Sequence, residues 1–238
     1  MILYGRNPVR EALRGRRTVT RVWATASAFT AEPWLAGAPS PTEAGGDAIE
    51  EMCGSRDHQG VCAEVSAYPY VDAVGLLDAE DALVIVLDEI QDVQNLGAVC
   101  RVAESAGVAG VVIPERRAAE VTPAACKAAA GAVEHLDIAR VRNVADWLGD
   151  AKQRDAWVYG AATGAASVSY TDPDYAGRVV LVLGSEGKGL RPRVASECDQ
   201  LVALPQRGRL DSLNVATAAA ALVYGILQSR GQPLDKGP

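Results

Sequence analysis

Residues 181–194 read LVLGSEGKGLRPRV, in which three apolar residues run into a loop with Gly184, Gly187 and Gly189 and with Lys188 between the last two. Two other stretches gather unusual polar side chains. One is QDVQNLGAVCR, with Asn95 and Arg101, and the other is LPQRGRLDSLNVATAAA, with Ser212 and Asn214. Glycines beside a lysine suggest a backbone cradle for a phosphate. The spacing argues against it. A P-loop has four residues between its glycines and a Ser or Thr after its lysine. Here two residues separate Gly184 from Gly187, and Gly189 follows Lys188. The dinucleotide fingerprint belongs at the first strand-to-helix turn with an acid about twenty residues on. This loop has the reverse glycine order and comes late in the chain.

Inventory removes further chemistries. His58 and His135 are the only histidines, and no His/Cys spacing suits zinc, so no metal is expected. No G-x-S-x-G elbow marks a hydrolase, and no basic–aromatic interleaving marks a stacking platform for single strands. The five cysteines form no C-x-x-C pair, which fits reduced thiols and a cytoplasmic setting. No run of 18 apolar residues occurs, and MILYGRNPVREALRGRR lacks the order of a signal peptide, so no membrane partner is expected. The net charge of -7 opposes a polyanion partner, but its distribution does not. Arg6, Arg10, Arg14, Arg16, Arg17 and Arg21 face the single nearby acid Glu11. Lys188, Arg191 and Arg193 form a second basic cluster, and Arg207 with Arg209 a third.

The elements that must position these residues divide near residue 70. Before it lie a short helix in YGRNPVREALRG, strands in VTRVWAT and GVCAEVSAY, a loose segment from Phe29 to Gly46, and a helix in DAIEEMC closed by Gly54. A polar connector over 71–81 with one helical turn follows. From Ala82 the pattern is regular. ALVIVLDE is a near-continuous apolar run, as expected of a strand covered on both faces of a parallel sheet. Helices and strands then alternate. NLGAVCRVAESAG is a helix closed by Gly107, VTPAACKAAAGAVEHL one capped by Thr122, NVADWLGDAKQR one capped by Asn143, and SLNVATAAAALVYGILQSR a long closing helix. VAGVVIP, IARV, WVYGAAT, RVVLVLGSE and DQLVALP are the intervening strands. The expected fold class is α/β, a mostly parallel sheet with helices on both faces. Ligands of such sheets bind beyond the carboxyl ends of the strands, so the loops Gln91–Gly97, Gly184–Leu190 and Pro205–Asn214 should converge there.

NLGAVCR, LVLGSEGKGL and LPQRGRLDSLNVATAAA, in this order, resemble the three motifs of the SpoU (TrmH) family of RNA ribose 2′-O-methyltransferases. The resemblance covers residues 82–229. YGRNPVREAL and HQGVCAEV further resemble the small L30e-like substrate domain of the branch that methylates 23S rRNA guanosine, and KAAAGAVEHLDIARV is similar to that branch too. The resemblance implies an L30e-like RNA-binding domain over 1–70, a linker over 71–81 and a methyltransferase domain over 82–238 with a C-terminal trefoil knot. It implies S-adenosylmethionine as methyl donor, RNA (rRNA foremost) as substrate, and a homodimer. LPQRG departs from the more usual Ile-Pro-Met-x-Gly, and Gly225 follows Tyr224 where many members carry glutamate.

By the same resemblance, Asn95, Arg101, Glu186, Ser212 and Asn214 form the catalytic site, and Gly184, Leu204, Leu213, Pro205 and Ala161 hold the methyl donor. Arg6, Arg10, Lys188 and Arg207 are candidates for RNA contact. A guanidinium stays protonated in proteins, so Arg101 is read as an oxyanion and phosphate binder, with the proton leaving through Glu186 or water. Each side chain has a plainer role to weigh against this. Arg101 could be a solvated helix residue, Asn95, Ser212 and Asn214 helix caps. Ala216, Ala219, Ala220 and Val223 form a small-residue face suited to a partner helix. Alternative substrates are tRNA or an rRNA nucleotide whose methylation confers antibiotic resistance. A catalytically silent RNA-binding module is the alternative of another class.

Overall fold

The structure is a computed structural model that describes residues 1–209 and 212–231. Residues 210, 211 and 232–238, part of the third motif and the end of the expected domain, lie outside the described residues. Two sheets organise the chain. The first has the order β1-β4-β2-β3, from β1 (Ile2–Tyr4), β2 (Val19–Ala24), β3 (Pro41–Glu43) and β4 (Val61–Val65). It carries α1 (Arg6–Arg14), α2 (Ala26–Ala31) and α3 (Gly46–Cys53). The second has seven strands in the order β7-β6-β5-β10-β8-β11-β9, every pairing parallel.

Those seven strands are β5 (Leu83–Asp88), β6 (Gly110–Pro114), β7 (Ile138–Val141), β8 (Ala156–Ala161), β9 (Val168–Ser169), β10 (Arg178–Gly184) and β11 (Gln200–Ala203). Between them lie α4 (Val93–Ser105), α5 (Pro123–Ala128), α6 (Val144–Lys152) and α7 (Pro192–Glu197), with α8 (Val215–Ser229) last. The apolar runs are explained by two-sided burial. Leu83, Ile85 and Leu87 of β5 pack with α4, α5 and α8 on one face, while Val84 and Val86 pack with α6 on the other. β10 repeats this with Val179, Leu181 and Leu183 against Val180 and Val182. Each such fully buried aliphatic contributes about 1.5–3 kcal/mol relative to exposure.

Local chemistry sets the boundaries. Asp92 caps α4 by accepting from the Gln94 N–H (2.9 Å), and Gly107 beyond its end has φ 66°. Asn143 caps α6 and Thr122 caps α5. The long helix expected from residue 122 to 136 is shorter. α5 ends at Ala128, Ala130 and Gly131 turn the chain at φ 52° and 90°, and Ala132–His135 is a separate single turn. Gly131 is required there because a Cβ would lie 2.8 Å from the Glu11 side chain of α1.

The segment from Phe29 to Gly46 is more ordered than expected. Thr25 caps α2, Pro33–Gly37 forms a turn around the fully buried Leu35, and β3 adds parallel to β2. Short β9 and α7 were also not anticipated, being too brief to show a period. The 71–81 connector holds the expected single helical turn, at Gly75–Leu77. Val71 donates its N–H to Ile138 O (3.0 Å), and Leu76 and Leu77 are buried against the second sheet.

One apolar cluster runs without a break from Leu3, Val22 and Ala63 of the first sheet through α4 and α5 to Leu87 and Leu181 of the second. Polar contacts seal this junction. Arg17 and Glu134 form a side-chain ion pair with 1% and 0% exposure. The Arg17 Nε also donates to Glu134 Oε2 (2.8 Å), Tyr68 OH donates to Leu136 O (2.6 Å), and Arg16 pairs with Asp137. Tertiary structure thus disposes of most of the N-terminal basic cluster. Arg6 pairs with Glu32, Arg10 and Arg14 with Glu11, Arg16 with Asp137 and Arg17 with Glu134. The acids that neutralise it are mostly remote in sequence, which is why the sequence showed an excess.

A second correction concerns α8. Ala219 and Val223, expected on a face for a partner helix, are fully buried in the chain's own core, where α8 lies against α4. Gly225 also serves an internal contact, since a Cβ there would sit 2.6 Å from the Tyr170 ring.

Candidate active site

Three loops at the carboxyl edge of the second sheet meet. Asn95 in the first turn of α4 donates its side-chain N–H to Glu186 Oε1 (3.2 Å). Asn214 donates to the same oxygen (2.7 Å) and to Asn95 Oδ1 (2.8 Å), and the Val215 N–H adds a longer contact to Glu186 Oε1 (3.4 Å). Glu186 therefore caps the start of α8 from outside, where the helix dipole favours an anion. Asn214 is itself the N-cap of α8, accepting from Ala216 N–H (3.0 Å) and Thr217 N–H (3.3 Å). Of the two cap candidates here, Ser212 and Asn214, the cap is Asn214. Its amide end is left to hold Glu186 and Asn95, so cap and site role coexist in one side chain.

The glycine loop is built to close on itself. Ser185 and Gly189 exchange both backbone hydrogen bonds (3.1 and 2.8 Å), and Gly187 and Gly189 occupy φ 78° and 66°. A Cβ on Gly184 would lie 2.2 Å from the carbonyl carbon of Gly189. The N–H groups of residues 185 and 189 are thereby consumed, which is the physical reason that the loop does not present them to a phosphate. Its far end is anchored by Asp88, a buried carboxylate at the end of β5. Asp88 accepts from the Arg191 backbone N–H (2.9 Å) and from its guanidinium (2.7 and 2.6 Å). This anchor was legible in part, because an aspartate ending a fully apolar run needs a cation or donors.

Beside Glu186 opens a cavity of about 250 Å³. Gly184, Leu204, Leu213 and Ala161 of the expected donor-binding set line it, and so do Ser212 and Glu186. Pro205 does not; it is exposed at the rim. Thr163, Val202 and Gln206 line the cavity and were not anticipated. Thr163 follows β8, Val202 lies in β11 and Gln206 follows it, and only the strand order reveals that β8 lies next to β10 and β11 next to β8.

The remaining candidates stand apart. Arg101 is exposed on α4 and makes no hydrogen bond or ion pair with any described residue. It lies six residues beyond Asn95, about 9 Å along the helix axis. Lys188 and Arg207 are exposed. Arg6 and Arg10 are engaged inside the first unit, Arg6 with Gln59 and Glu32 and Arg10 with Glu11. Of the second basic cluster, Arg191 is held by Asp88 and Arg193 by Asp146.

Residues 82–224 match the model of the SpoU rRNA Methylase family. The chain belongs to that family. Residues 2–71 of this SpoU methylase match a second family, RNA 2′-O ribose methyltransferase substrate binding. It is 38% identical over 80% of its length to a 23S rRNA (guanosine-2′-O-)-methyltransferase of Acinetobacter baylyi, covering 79% of that protein. It is 35% identical over 97% of its length to an uncharacterized tRNA/rRNA methyltransferase of Synechocystis sp., of which it spans 63%. Among solved structures, the AdoMet-bound rRNA methyltransferase of Sinorhizobium meliloti superposes with a TM-score of 0.77 at 25% identity, covering 95% of this chain and 86% of that one.

Proposed function

We propose that this SpoU methylase transfers a methyl group from S-adenosylmethionine to a ribose 2′-hydroxyl of RNA, with a guanosine of 23S rRNA as target. The observation that carries the reading is the joining of Asn95, Glu186 and Asn214, from three distant segments, at the mouth of one cavity. The cavity suits the donor. Leu204, Leu213 and Val202 offer apolar surface for a purine, and Gly184 lets backbone approach closely. S-adenosylmethionine, when bound, supplies an electrophilic methyl group on a cationic sulfonium. The Glu186 carboxylate gives the mouth of the cavity a fixed negative charge.

A ribose hydroxyl is a weak nucleophile until its proton has a destination. Glu186 has that capacity, because Asn95, Asn214 and Val215 all address Oε1 while Oε2 has no partner among the described residues. Proton removal runs through this carboxylate or through water. Arg101 remains charged, stabilises the developing oxyanion and holds the neighbouring phosphate from its exposed position. The Acinetobacter relative supports guanosine in 23S rRNA as the target, and the substrate-binding match over residues 2–71 supports an RNA-binding role for the first unit.

The trefoil knot, the L30e-like first domain, the homodimer and the cytoplasmic setting belong to the same reading. The chain returns from β11, near one edge of the sheet, to α8, which packs on α4 beneath β5 and β10. That return supports the knot. Exposed Leu213 and Tyr224 support a second copy as partner, to be checked by light scattering at assay concentration. Among the described residues, no helix is long and apolar enough to cross a membrane. The reading is tested with labelled S-adenosylmethionine and unmodified 23S rRNA. Label should appear as 2′-O-methylguanosine with wild type and fall sharply with Glu186→Ala. Equal incorporation by both proteins would reject the site.

A further inference from the structure

A second cleft, of about 300 Å³, lies on the same carboxyl edge of the sheet. Arg116 and Arg117 reach it from the loop after β6, Arg142 from the end of β7, and Arg191 and Arg193 from the segment after the glycine loop. Strands β7, β6, β5 and β10 are consecutive neighbours, so arginines following three of them, β6, β7 and β10, come together with Glu89, which follows β5. Glu89 is the one acid in the lining. Asp88 and Asp146 stand behind it as partners of Arg191 and Arg193. Counting all three acids, the cleft keeps an excess of positive charge. Arg116 and Arg142 have no carboxylate partner among the described residues, and Arg117 reaches Glu89 only at 3.6 Å with 77% of its side chain exposed.

The backbone here is also unusual. Glu89 and Arg117 sit at φ 59° and 57°, left-handed values that side chains other than glycine adopt at a cost. Both residues line the cleft. The sequence clusters that first suggested a polyanion are largely engaged in internal ion pairs, Arg191 and Arg193 of this cleft included, whereas Arg116 and Arg142 are not. Planar guanidinium groups are matched in shape to phosphate oxygens. The cleft also adjoins the catalytic cluster. Four residues connect Glu186 to Arg191, so the two are at most about 18 Å apart along the chain.

We propose that this arginine cleft is a second RNA site, holding a backbone phosphate of the strand whose ribose is presented to Asn95, Glu186 and Asn214. It rests on the methyltransferase reading and extends it. The cleft grips the strand without reading its sequence, since phosphate contacts position and base contacts specify.

The test uses the full chain carrying Arg116→Ala with Arg142→Ala, the two arginines that hold no ion pair among the described residues. The probe is a short fluorescein-labelled single-stranded RNA of mixed sequence, titrated at several salt concentrations. S-adenosylmethionine titration and thermal melting report on fold. The Kd for RNA should rise roughly tenfold, and the salt slope should fall by about 1 to 2 units. Affinity for S-adenosylmethionine should stay as in wild type, and Arg116→Lys with Arg142→Lys should restore part of the RNA affinity, since the charge returns without the planar fork. If wild type binds and methylates RNA while the variant matches it in Kd and slope, the cleft proposal is overturned and the catalytic reading stands. If wild type neither binds nor methylates RNA, the reading fails and takes the cleft with it. Thermal protection of wild type by inorganic phosphate, with RNA affinity unchanged in the variant, assigns the cleft to a free anion and also overturns the proposal.

Discussion

The Asn214 side-chain amide lies 2.7 Å from Glu186 Oε1, across 28 residues of chain, while its carbonyl end caps α8. One residue thus ties the glycine loop to the closing helix. Asn214→Ala should destabilise by about 1 kcal/mol through the lost cap, and cut methyl transfer by about a hundredfold through misplacement of Glu186. Asn214→Asp separates the two effects. It retains a cap but sets a carboxylate against Glu186, so melting should be near wild type and methylation as poor as in the alanine variant.

Arg101 has no partner among the described residues to lose. Arg101→Ala should therefore change stability by no more than about 0.5 kcal/mol. Its methyl transfer should drop at least about a hundredfold, the scale of losing a donor to a developing oxyanion. Arg101→Lys should recover a part, because an ammonium keeps the charge without the planar fork. A single-turnover assay beside a melting curve checks both. Full activity in Arg101→Ala would remove this residue from the site.

Gly184 carries the closure of the loop. Gly184→Ala places a methyl group 2.2 Å from the Gly189 carbonyl carbon and 2.4 Å from the Leu190 nitrogen, both backbone atoms that cannot step aside alone. The loop must shift at a cost of about 1–3 kcal/mol. Calorimetric titration should show S-adenosylmethionine affinity reduced at least about tenfold, with the thermal transition still cooperative.

Arg17 and Glu134 are buried together where the first unit meets the second. Removing one partner strands a buried charge, so Arg17→Met should cost about 3–5 kcal/mol. The double variant Arg17→Met with Glu134→Leu should be far closer to wild type, because no charge is left without a partner. Urea denaturation of wild type, Arg17→Met, Glu134→Leu and the double variant supplies the cycle.

Glu11 gives a pH dependence with a definite sign. Burial works to raise its carboxyl, but hydrogen bonds from His135 and Arg10, with the charge of Arg14, outweigh burial and hold it below the ordinary carboxylate value. A group lowered in the folded state stabilises fully above its unfolded pKa of about 4.3, and that contribution is lost as pH falls through the folded value. Stability should therefore decline on acidification below that range. Glu11→Gln should show a shallower decline in melting temperature over the same window.

What the sequence determined by itself follows from short-range physics. Two-sided apolar runs such as LVIVLD announced buried parallel strands, and Thr122, Asn143 and Gly54 marked helix ends, because capping and backbone sterics act over a few residues. Three polar loops at the strand ends pointed to one site before their geometry was known. Strand order was not legible, and with it went Thr163, Val202 and Gln206, since which strands become neighbours is fixed by packing between segments far apart in the chain. The same holds for charge. Arginines 6 to 17 look unopposed along the chain, yet Glu32, Glu134 and Asp137 answer them in space. Arg116, Arg142 and Arg191 look scattered along the chain, yet they share one cleft. Coulomb interactions depend on distance through space, so only the tertiary structure decided which cations are spent holding the fold and which face the solvent.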